Sequence, residues 1–204
     1  MFALPQAALR APILLAAMLI ATLTLPGCGV NNIPTYEEQA KASWAEVQNQ
    51  YKRRADLIPN LVDTVKGYAG QESKVLKEVI EARAKATQMT LPADIINNPE
   101  AMKKFQDAQS GLQGALGRLL AVTEAYPDLK SNTNFLQLQS QLEGTENRIG
   151  VARRDYILAV QQYNTEITTI PGRWWRSLMY PSAKPMAEFT ASDAEQTAPK
   201  VNFN

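Results

Sequence analysis

The sequence contains no histidine and a single cysteine, Cys28. No ordinary zinc site can be assembled, no serine or cysteine nucleophile can have an imidazole beside it, and no disulfide can close within the chain. Charge of one sign is also lacking: 21 basic and 20 acidic side chains leave a net +1. Nucleic-acid surfaces draw affinity from many cations on phosphates, so that class of partner is not expected. Gly111, Gly114 and Gly117 recur every three residues, but no strand pattern precedes them and no Gly-Lys-Ser/Thr follows, which excludes a phosphate loop. Close helix approach is the expected use of these glycines. No segment keeps a period of two, so no strand is predicted, and no cofactor is implied. What is present is a chain of 204 residues, enough for one domain with a real core.

The first 28 residues, MFALPQAALRAPILLAAMLIATLTLPGC, carry one charge, Arg10, before an apolar run from Ala11 to Leu25. One basic residue, a short apolar stretch and a small-residue end make a secretory signal over residues 1–27. The run is shorter than the roughly 20 apolar residues that span a bilayer. Its end, Leu25-Pro26-Gly27-Cys28, resembles the lipobox of bacterial lipoproteins. That resemblance implies acylation of Cys28, cleavage before it and a membrane-lipid partner, since two or three acyl chains anchor firmly. Gly29 at the next position, in place of an inner-membrane retention Asp, implies an outer-membrane lipoprotein facing the periplasm or exterior. Cleavage would leave a tether over 28–34 and a mature chain with 20 charges of each sign.

Helical periodicity governs the rest. Tyr36, Ala40, Trp44, Val47 and Tyr51 are spaced by three and four. A second stripe runs from Ile58 through Leu61, Val65, Tyr68, Glu72, Val75, Val79 and Ala82 to Ala86. A third joins Met102, Phe105, Gln109, Leu112, Leu116, Leu119, Thr123 and Tyr126. The last runs from Phe135 through Leu138, Leu142, Thr145, Ile149, Ala152, Tyr156, Ala159 and Tyr163 to Ile170. Long amphipathic helices bury such stripes against one another, giving an all-α fold. The polar residues within the stripes, Glu72, Gln109, Thr145 and Glu166, set register or point obliquely. Pro59 leaves two arrangements open. Proline disfavours helix at the residue before it, which suggests a reversal. The stripe Tyr51, Arg54, Ile58, Leu61 stays in phase across it, which suggests a kink.

Several segments resemble the LemA family of bacterial envelope proteins: Tyr51-Lys52-Arg53-Arg54-Ala55-Asp56-Leu57-Ile58-Pro59-Asn60-Leu61-Val62, Leu119-Leu120-Ala121-Val122-Thr123-Glu124-Ala125-Tyr126-Pro127-Asp128-Leu129-Lys130, and Ala152-Arg153-Arg154-Asp155-Tyr156. They cover about residues 35–171. The resemblance implies an antiparallel up-and-down four-helix bundle over 35–171, with reversal at Pro59 and helices at about 35–56, 59–88, 98–126 and 132–170. It implies membrane attachment and no reaction. Family members usually keep an uncleaved spanning helix, so a single-pass inner-membrane protein is the alternative.

In that layout the turns at 55–60 and 127–133 share the membrane-distal end. Arg53, Arg54, Asp56, Asn60, Asp128 and Lys130 would then form a polar cluster, either fixing the bundle end by ion pairs or recognising a partner. An enzymatic reading would rest on Glu124, Asp128 and Glu146. Residues 172–204 open with Gly172 followed by Arg173-Trp174-Trp175-Arg176, suited to a membrane interface. Residues 181–204 are expected to form a loosely ordered tail. The expected function is a non-enzymatic, membrane-anchored helical scaffold whose partners are other envelope proteins.

Overall fold

Stripes of this length require long helices. A computed structural model describes residues 29–88 and 95–190, and every regular element among them is helical. Helix α1 spans Asn32–Tyr68, α2 Ser73–Gln88, α3 Pro99–Thr123, the short α4 Pro127–Lys130, α5 Thr133–Thr168 and α6 Gly172–Met179. The starts follow local chemistry. The Asn98 side chain accepts the Ala101 N–H, with Pro99 in the first turn of α3. Asn132 does the same for α5 through the Phe135 N–H.

Cross-helix bonds fix directions. Asn32 donates to Glu166 at 3.3 Å, Arg54 to Glu146 at 3.0 Å, and Asn132 to the Tyr68 hydroxyl at 2.9 Å. Helices α1 and α5 are therefore antiparallel along their whole length. With 37 and 36 residues they are each about 55 Å long, so their seams match end to end. Helix α2 runs against α3 in the same sense, with Arg118 donating to Glu78 at 3.1 Å and Gln109 to the Ala86 carbonyl at 3.4 Å.

The expected reversal at Pro59 does not occur: α1 continues through it to Tyr68, and the chain turns at residues 69–72. Two features explain the persistence. Pro59 lies on the exposed side of α1, so its ring disturbs no packing. Lacking an N–H, it leaves the Ala55 carbonyl without its helical donor. Arg83 of α2 donates its Nε–H to that carbonyl at 2.8 Å. A neighbouring helix thus supplies the bond that proline removes.

Two apolar clusters make up the core. One gathers Trp44, Tyr51, Phe105, Ile149, Tyr156 and Tyr163, the other Ile58, Leu61, Leu112, Leu119, Phe135 and Leu142. Between them in sequence on every long helix but α2 stands a buried polar residue: Arg54, Gln109 and Thr145.

The C-terminal region also departs from expectation. Residues 181–190 form an extended strap that buries Ala183, Met186, Ala187 and Phe189. Asn164 holds the Met186 backbone at both N–H (2.8 Å) and C=O (3.0 Å). The Tyr156 hydroxyl donates to the Ala187 carbonyl at 2.8 Å, and the Ala187 N–H to the Ile96 carbonyl at 2.6 Å. Phe189 packs on Trp44 and Tyr156. A weakly charged, Pro- and Ala-rich stretch is ordered because Asn164 and Tyr156 bond its backbone. The glycines of α3 do not serve close approach: a Cβ at Gly111 or Gly117 would meet nothing within 4 Å. Residues 1–28, with the expected signal and Cys28, and residues 89–94 and 191–204 lie outside the described residues.

Candidate functional site

Arg54 is only 1% exposed, and its position follows from its place in the α1 stripe. Burial of a guanidinium is tolerable only when its charge and donors are matched. Here Nη1 donates to both oxygens of Glu146 (3.0 and 3.3 Å). Nη2 donates to Gln109 Oε1 at 2.5 Å and to the Gln109 carbonyl at 3.3 Å. The group also lies 5.0 Å from the centre of the Tyr51 ring. Gln109 passes the network on to α2 through Ala86, so one chain of bonds joins all four long helices. Among the described residues the buried Arg54 Nε–H finds no acceptor.

This network forms part of the wall of a cavity of about 260 Å³. Helix α3 contributes Lys103, Gln106, Asp107, Gln109, Ser110 and Gln113; α5 contributes Glu146, Asn147, Gly150 and Arg153; Thr190 of the strap stands at one end. Arg153 stacks on Phe189 at 4.8 Å, and the Thr190 hydroxyl donates to Gln106 at 3.4 Å. A Cβ on Gly150 would meet nothing within 4 Å. The arrangement offers amide donors and acceptors with charges of both signs. Among the described residues no group of three or more His, Cys, Asp or Glu could hold a metal ion.

The structure separates the residues expected to cluster at the distal end. Arg54 is in mid-molecule. Arg53 is exposed, and Asp56 pairs with Lys52 at 2.8 Å on the surface of α1. Asn60 is exposed two turns before the end of α1. Asp128 and Lys130 do lie at that end, where Lys130 pairs with Glu124. The clustering fails because the turn is at 69–72, not 55–60. The residues that meet there are Tyr126, which donates to Glu72 at 2.9 Å and accepts from Gln71 at 3.0 Å, and Tyr68 with Asn132. Glu124, Asp128 and Glu146 are likewise not one site, since Glu146 belongs to the Arg54 network. Gln109 carried a legible signal, a polar residue on an apolar stripe; the Gly150 opening and the strap contact carried none.

At the opposite pole α6 packs beside the start of the described chain. A Cβ on Gly29 would lie 3.9 Å from Glu166 and 4.0 Å from the Trp175 indole nitrogen. The four aromatic-segment residues divide. Trp175 packs on the core, and Arg176 donates to the Ala183 carbonyl at 2.9 Å. Arg173 and Trp174 face out. Trp174 (62% exposed) and Leu178 (77%) share one face of α6, with Ile170 (63%) and Met179 (52%) also exposed. No helix among the described residues is long and apolar enough to cross a membrane. Burial pushes the phenols of Tyr156 and Tyr163 above their ordinary value.

Known proteins place the chain. It is 27% identical to magnetosome protein MamQ 2 of Paramagnetospirillum magneticum strain AMB-1 over 186 residues, 83% of this chain and 66% of that protein. Magnetosome protein MamQ of Magnetospirillum gryphiswaldense is 25% identical over 169 residues, 75% of this chain and 62% of the relative. Protein LemA of Metamycoplasma hominis is 26% identical over 123 residues, 60% of this chain and 52% of that protein. The chain thus spans less than two thirds of the length of each of these relatives. The LemA family model matches residues 43–203, more than three quarters of the sequence, and the protein belongs to the LemA family.

Proposed function

We propose that this LemA-family protein is a membrane-anchored, non-enzymatic helical scaffold that presents its side walls to other envelope proteins. In this reading α1, α2, α3 and α5 act as one antiparallel four-helix bundle, held to the membrane through acylated Cys28. The pairings of Asn32 with Glu166 and Glu78 with Arg118 support that arrangement. The observation that carries the reading is the pole shared by Gly29 and α6. Helix α6 packs through Trp175 beside the residue that follows Cys28, and its outward face carries Trp174 and Leu178 beside Arg173. Aromatic and apolar side chains with a neighbouring cation suit the bilayer interface. The anchor and the helix would then press the same end onto lipid and leave the 69–72 and 124–132 turns distal.

Four measurements test this. Mass spectrometry of the N-terminus should find an acylated Cys28; an intact Met1 would instead establish the single-pass form. Brominated-lipid vesicles should quench Trp174 fluorescence, and Leu178→Glu should remove most of that quenching without loss of helicity. Undiminished quenching in the variant would reject the interfacial placement. In-cell crosslinking should capture envelope proteins on the purified chain. Turnover abolished by a single substitution at Glu124, Asp128 or Glu146 would overturn the non-enzymatic role.

A further inference from the structure

We propose that the groove between α3 and α5 binds an extended peptide segment bearing an acidic side chain, contributed by a partner protein. This rests on the scaffold reading and names its docking site. The strap already demonstrates how this groove holds backbone. From Met186 to Thr190 it meets Asn164, Tyr156 and Arg153 in turn along α5, and Ile96 and Gln106 along the other wall. Beyond Thr190 the same two walls continue, with Gly150, Asn147 and Glu146 on α5 and Ser110 and Gln113 on α3. The cavity is therefore an extension of an occupied backbone groove. Its amide side chains can repeat what Asn164 does for Met186, donating to one backbone carbonyl and accepting one N–H.

Charge sets the class of peptide. Glu146 is matched by Arg54, which leaves Lys103 and Arg153 against Asp107. Among the described residues neither Lys103 nor Asp107 has an ion-pair partner, and the Arg54 Nε–H, which lines the same cavity, is a buried donor with no acceptor. The excess is one cation, and a single carboxylate on the peptide would complete it. Gly150 holds the space open: in a helix it costs up to about 1 kcal/mol against Ala, yet no neighbour requires it.

Fluorescence anisotropy on the full chain in detergent micelles tests this with two labelled decapeptides, one of alternating serine and glutamate, one of alternating serine and lysine. The glutamate peptide should bind saturably and the lysine peptide should not. Gly150→Leu fills the cavity without touching a charge. It should weaken binding at least about tenfold, as should Arg153→Ala, while the melting temperature of Gly150→Leu holds or rises. Arg148→Ala, on the same helix outside the groove, should bind as the parent does. Equal binding of both peptides, or unchanged affinity in Gly150→Leu, would overturn the proposal. So would tighter binding after Asp193→Asn with Glu195→Gln, which would assign the groove to the chain's own terminus. If crosslinking captures partners while no peptide binds, only the groove fails; if neither occurs, the scaffold reading fails with it.

Discussion

Arg54 and Glu146 form one ion pair but stand in unequal environments. Arg54 is almost wholly buried, whereas the Glu146 side chain is 32% exposed. Removing Glu146 strands a buried cation; removing Arg54 leaves a carboxylate that water can reach. Glu146→Ala is expected to cost about 3–5 kcal/mol in urea unfolding, and Arg54→Met, which keeps the apolar stem, less than half of that. Equal losses would contradict the asymmetry. Gly111 and Gly117 lie in helix with open space where a side chain would stand, so each Ala substitution should stabilise by about 0.5–1 kcal/mol, read as a raised melting temperature. The importance of Arg54 was half legible. Its phase with Tyr51 and Ile58 marked it as facing the core, but the turn drawn at Pro59 put it at an end. Which acid and amide would meet it depended on the relative height of three helices, and each stripe is self-similar over many turns. Periodicity gives a face; it does not give a level.

At the level of elements, Pro59 and Arg83 should be coupled. Arg83→Ala leaves the Ala55 carbonyl unsatisfied and is expected to cost about 1–3 kcal/mol. Pro59→Ala restores the helical N–H, so in that background the Arg83→Ala cost should shrink by at least half. An undiminished cost in the double-mutant cycle would show that Arg83 acts elsewhere. Gly172 fixes the junction of α5 with α6: a Cβ there would lie 2.0 Å from the Glu166 carbonyl. Gly172→Ala should displace α6 and expose Trp175, seen as a red-shifted emission. The last two long helices were legible to within three residues at either end, because Asn98, Pro99, Asn132 and Pro171 punctuate them. The first break was misplaced by about a dozen residues, because proline is a local signal and its rescue came from a residue 24 positions later. The strap was not legible, since its order is owed to Asn164 and Tyr156 rather than to its own composition.

For the whole molecule, the half that holds Gly29 and α6 carries buried phenols. Tyr156 and Tyr163 resist ionisation in the fold, so above about pH 10 the unfolded chain loses protons that the native one keeps. Stability should therefore be level up to about pH 10 and fall beyond it; thermal melts across that range check this, and Tyr156→Phe should flatten the fall. The class of fold was legible throughout, because stripe burial needs only periodicity; the polar mid-level and the shared groove emerged only once four helices had heights. The strap has one more consequence. Phe189 sits against Trp44, so the half that holds Gly29 and α6 is closed by residues that follow every one of its helices in the chain. A growing chain would lack that closing piece until all of its long helices had been made, so this half would be the later one to set.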